Sequence, residues 1–159
     1  MKRIIKGIAI LALITLVVLQ FFRPEKNESG YDSIANFKAD TKPSEEVARI
    51  LKANCYDCHS NQTHYPWYAE IAPVSFWLDE HIRHGKGEFN VSAWSQYSVK
   101  KKDHKLEELI EEIKEKEMPL PSYTWIHGDL TSDEKTLLIQ WATLARMQYR
   151  ETLQILGSH

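Results

Sequence analysis

The chain has 159 residues, 43% of them hydrophobic and 26% charged, with a formal net charge of −2. That balance fits one globular domain with attachments, and it excludes a wholly disordered chain, a multispan membrane protein and a collagen-like or Pro-rich repeat. The charge is unevenly placed. Residues 1–23 carry Lys2, Arg3, Lys6 and Arg23 and no acid, which leaves 16 basic against 22 acidic residues in the remainder. No basic face of the kind that binds nucleic acid stands out, and a protein partner of the acidic body is expected to be basic.

The first element is a cationic start, Met1 to Lys6, followed by an apolar run from Gly7 to Phe22 broken only by Thr15 and Gln20. With Ile4 and Ile5 it approaches the roughly 20 residues that span hydrocarbon as a helix. The run ends in Leu19-Gln-Phe-Phe22, without a small-x-small cleavage site. Residues 1–23 are therefore expected to form an uncleaved single-pass transmembrane anchor in the inner membrane. The basic flank would stay in the cytoplasm and the body would face the periplasm. Residues 24–42 read as a polar linker and residues 43–156 as the domain.

Within the domain, Pro43-Ser44-Glu45-Glu46 opens a helix, with acids where the helix dipole favours them. Pro73 opens another, predicted over 74–84 and stopped at Gly85 and Gly87. Residues 92–97 predict a short helical turn capped by Ser92. Leu106, Leu109, Ile110 and Ile113 line one face of a helix predicted over 103–116 and ended by Pro119 and Pro121. Thr131-Ser-Asp-Glu134 is a capping box for a last helix through Leu137, Leu138, Trp141, Leu144 and Ala145 to about Leu156. No segment alternates with period two. The predicted fold is all-α, with long loops at 60–72 and 117–130, and Trp77 and Trp141 are expected in its core.

The chemistry concentrates in Cys55-Tyr-Asp-Cys58-His59, the C-x-x-C-H pattern of covalent haem attachment. Two thiols three residues apart can each add across one vinyl group of haem, and the next imidazole then meets the iron. Three other readings compete. A zinc site needs four ligands, and no second cysteine pair exists, although His64 could join His59. A thioredoxin-like pair should follow a strand, and this one follows a helical pattern. A structural disulfide leaves His59 unexplained.

The candidate sixth ligand is Met118, because a thioether favours Fe(II) and Pro119 and Pro121 stiffen its loop. The competing role is a gap-filling core methionine. His64, His81, His84, His104 and His127 are rivals, with His127 foremost. Trp67 is a candidate wall of the haem pocket, and Tyr123 or Trp125 a candidate donor to a haem propionate.

Cys55–His59, Met118-Pro119 and a closing helix with Trp141 resemble class I cytochromes c. A closer resemblance is to the small haem-binding domain family of anchored bacterial proteins. It rests on Cys55–Asn61, Tyr65–Tyr68, Ile71–Ser75, Phe89–Trp94, Glu117–Tyr123 and Leu138–Trp141. The resemblance implies a cytochrome-c-like fold with covalent haem c, Cys55 and Cys58 as attachment sites and His59 as proximal iron ligand. The expected function is that of a membrane-anchored monohaem electron carrier serving redox partner proteins at the periplasmic face. A haem-based sensor or peroxidase-like protein with an open sixth position is the alternative.

Overall fold

The structure, a computed structural model, describes residues 1–157 and is all-α among them. Eight helices follow in chain order: α1 (Lys2–Leu19), α2 (Ala35–Thr41), α3 (Glu45–Asn54), α4 (Tyr56–His59), α5 (Val74–Glu88), α6 (Val99–Glu115), α7 (Pro121–His127) and α8 (Ser132–Gly157). Tight 3-10 turns at Asp32–Ile34, Trp67–Glu70 and Val91–Gln96 fill parts of the connections.

The helix starts follow the caps. The Ser44 hydroxyl accepts from the Val47 amide at 3.2 Å, and Ser98 does the same for Lys101. Thr131 and Glu134 close the capping box reciprocally, at 3.2 Å and 2.8 Å. Ser98 starts α6 four residues before the predicted position. The turn at Val91–Gln96 is capped by Asn90, whose side chain accepts from the Ser92 amide, and not by Ser92.

α6 and α8 pack against one another and carry Leu106, Ile110, Ile113, Leu138, Trp141 and Ala142 into the core. Arg146 of α8 joins them at the edge through Asp103 and Glu107 of α6, at 2.9 Å and 2.8 Å. Phe37 is the hub on the other side. Its ring meets Trp94 edge-on at 5.0 Å and Trp141 at 5.9 Å between centroids. The Trp141 indole N–H donates to the Thr41 carbonyl at 2.9 Å, which ties α8 to the end of α2.

Further expectations change, and the predicted loop at 117–130 carries α7. The stretch 24–42 is no free linker: it forms α2, buries Ile34 and Phe37, and is tied to the body through Asn27, Ser33 and the Thr41 carbonyl. Trp77 is 45% exposed, and Trp94 takes the core position expected of it. α5 runs through Gly85 and Gly87 to Glu88, because Gly85 serves a close helix approach described below.

The last change concerns the anchor. No helix among the described residues is long and apolar enough to cross a membrane. α1 has 18 residues, with Lys2, Arg3 and Lys6 among its first five. Its length is about 27 Å at 1.5 Å per residue, short of a hydrocarbon core of about 30 Å. It buries no residue against the body. Its end is nonetheless fixed, because the Gln20 side-chain amide exchanges two hydrogen bonds of 3.0 Å with the Ala72 backbone.

Candidate functional site

α3 ends at Asn54, and the Cys55 amide still donates to the Leu51 carbonyl at 2.9 Å. The chain then enters α4, a single turn closed by the His59 amide on the Cys55 carbonyl at 2.9 Å. Tyr56, fully buried, seats that turn in the core. Burial has a direct consequence for the thiols. It pushes Cys55 up to about 12 and Cys58 up to about 11, so both stay protonated at neutral pH. A thioredoxin-like pair requires the opposite shift.

His59 is held by groups distant in sequence. Its Nδ1 lies 3.0 Å from the Gly85 carbonyl and 2.9 Å from the Phe89 carbonyl, both at the end of α5. Carbonyls only accept, so Nδ1 carries the proton and Nε2 keeps its lone pair. Burial lowers the pKa of the imidazole below the usual histidine value and keeps it neutral. A neutral ring with Nδ1–H bonded to backbone and Nε2 unprotonated is the form in which histidine binds a metal.

α5 comes this close because residue 85 is glycine. A Cβ there would lie 2.8 Å from the Cys58 carbonyl oxygen and 3.2 Å from the Cys58 Cβ. In the sequence alone Gly85 reads as a helix stop. Only the packing of α5 on α4 reveals its use.

Cys55 and His59 border a cavity of about 320 Å³ whose apolar walls include Leu51, Phe89, Leu109 and Met118. The volume lies within the range of small-molecule and cofactor sites, about 300–1,000 Å³. Met118 arrives there after Lys116 takes a left-handed conformation with φ 64°. The amides of Glu117 and Met118 then both donate to the Glu112 carbonyl, at 3.0 Å and 3.2 Å. The polar part of the lining is Asn54, Glu88, Lys105, Glu108 and Glu112. Burial and neighbouring carboxylates, Glu117 first among them, raise the Glu112 pKa.

A family model described as a haem-binding domain matches residues 14–144. The chain belongs to the haem-binding domain family. No curated protein and no solved structure matches the sequence.

The residues of this haem-binding domain fit the group that the family binds. An apolar cavity, two thiols on one turn and an imidazole with its Nε2 unprotonated are what covalent haem attachment calls for. Cys55, His59 and Met118 share the cavity of about 320 Å³, the larger of the two that the motif's thiols border. Cys58 borders a separate cavity of about 70 Å³ together with His64, His81 and His127. None of the five rival histidines borders the larger cavity; His59 is the one histidine in its lining. Trp67 stands elsewhere, 77% exposed and packed edge-on against Tyr68, so the wall expected of it is supplied by Phe89 and Leu109. The Tyr123 hydroxyl donates to the Ala53 carbonyl at 2.8 Å, and Trp125 is 84% exposed. Neither borders the larger cavity, so the propionate role expected of them has no support there. The charged residues of the rim escaped sequence reading, because no local pattern separates them from ordinary helix-surface residues; Phe89 figures in the sequence only as part of a matching stretch, without a role.

Proposed function

We propose that this haem-binding domain is a monohaem c-type cytochrome that transfers one electron at a time between partner proteins. The carrying observation is the meeting of Cys55, His59 and Met118 on one apolar cavity, with Nδ1 of His59 fixed by two carbonyls. Haem, when bound, supplies the Fe(III)/Fe(II) couple.

The chain's own residues divide the remaining work. Cys55 and Cys58 are three residues apart across one helical turn, so they stand as neighbours and serve as the two thioether attachment points. His59 would hold the iron through its Nε2. Its hydrogen bonds to Gly85 and Phe89 set the ring plane and raise the basicity of Nε2. Met118, positioned by the Glu112 carbonyl and by Pro119, would hold the iron through its thioether sulfur. Leu51, Phe89 and Leu109 exclude water and keep the local dielectric low.

The same reading places the domain at the periplasmic face of the inner membrane. There α1 acts as a lipid-associated helix close to membrane redox partners, which raises their effective concentration. Its support is the bare apolar surface of α1 behind a cationic start.

The test is to produce the full chain with haem-attachment machinery and compare oxidised and reduced spectra with those of Met118→Ala. A weak far-red band lost in the variant supports His/Met ligation and electron transfer. A high-spin wild-type spectrum would point to an open site suited to ligand or peroxide chemistry. Absence of covalent haem would overturn the covalent attachment.

A further inference from the structure

We propose that Lys105 is the partner of a haem propionate in the larger cavity, an inference that rests on the cavity being the haem site. Haem carries two propionate carboxylates on one edge, and an anion brought against apolar walls needs a cation or hydrogen-bond donors. The lining holds one lysine or arginine side chain, Lys105 of α6. Its other charged members are Glu88, Glu108 and Glu112, which would repel a propionate.

Lys105 is already held as a carboxylate receptor. Its side chain is only 11% exposed, and its Nζ lies 2.6 Å from Glu108 and 4.0 Å from Glu88. Glu108 is more exposed and has a second neighbour, His104 Nε2, at 3.1 Å. A propionate can therefore take or share the lysine while Glu108 keeps a partner. Lys105 is a positioning residue: it fixes which edge of the ring faces α6. Its positive charge beside the bound group would also disfavour the Fe(III) form.

The experiment uses the haem-loaded full chain, with the propionate-bending bands in resonance Raman and the reduction potential as readouts. Lys105→Gln is expected to shift the propionate bands and lower the potential, and Lys105→Arg to restore both. Glu108→Gln, which removes the competitor and a negative charge, is expected to raise the potential and move the bands the opposite way. A purely structural lysine would change the melting temperature and leave the propionate bands unmoved, which overturns the inference. Leu109→Trp, a cavity-filling change, separates the two failures. If it perturbs the haem spectrum while Lys105→Gln does not, the cavity stands and the propionate assignment falls. If it leaves the spectrum untouched, the haem site itself is misplaced and the inference falls with it.

Discussion

Gly85→Ala tests the packing that holds the attachment segment. On a free helix surface the change should stabilise, since alanine is about 1 kcal/mol better than glycine in a helix interior. Here the new methyl would sit 2.8 Å from the Cys58 carbonyl oxygen, a backbone atom that cannot swing aside. The Cys58 Cβ, at 3.2 Å, closes a second route of relief. α5 must move away from α4, and overpacking of this kind costs about 1–3 kcal/mol. The expected net effect is a destabilisation of up to about 2 kcal/mol after the propensity gain. The displacement also pulls the Gly85 carbonyl from His59 Nδ1, so covalent haem yield should fall. Gly87→Ala is the internal control. No atom lies within 4 Å of its added Cβ, so it should stabilise by about 1 kcal/mol. Urea unfolding of the haem-loaded chain followed by circular dichroism, with haem stoichiometry measured alongside, reads both variants. Equal stability and equal haem content in the two variants would refute the close approach of α5 to α4.

Two further predictions concern the thiols and the first helix. In the haem-free chain both cysteines have pKa values raised by burial, to about 12 and about 11. An unfolded thiol ionises near 8.5. Above that pH the unfolded state binds fewer protons than the folded state, so stability should fall as pH rises from about 8.5 through 11. Urea midpoints across that range check it, and Cys55→Ala should flatten the decline. Removing residues 1–19 should abolish flotation with phosphatidylglycerol-containing vesicles while leaving the haem spectrum intact, because α1 buries nothing in the body. Retained flotation would move the membrane contact to the domain.

What could be read in advance was local chemistry. Cys55 to His59 needed no neighbours to be recognised, because the motif carries thiols and imidazole on five consecutive residues. The caps at Ser44 and at Thr131 with Glu134 were equally legible, since a side chain there serves amides two or three residues away. Met118 was singled out by its prolines, and it does border the cavity. What escaped depends on tertiary contact. Phe37 looks like one aromatic residue in a polar tether until α2 folds onto Trp94 and Trp141. Trp67 and Trp94 cannot be ranked by type, yet one is 77% exposed and the other fully buried. The length of the apolar N-terminal run was overcounted, because α1 closes at Leu19 and opens on three cations. Lys105 lies in a helix face rich in Lys and Glu, where composition gives no hint that one lysine borders the cavity.

The two carbonyls that hold His59 come from residues 26 and 30 positions further along the chain. A transplant of Cys55–His59 into a foreign helix would carry the thiols and the imidazole and leave those acceptors behind. The portable unit is therefore larger than the pentapeptide: α4 together with α5 and its exit at Phe89. An engineered haem protein built on the five residues alone would have an imidazole free to rotate and to exchange tautomers. One built on the pair of helices would inherit the ring orientation with the motif.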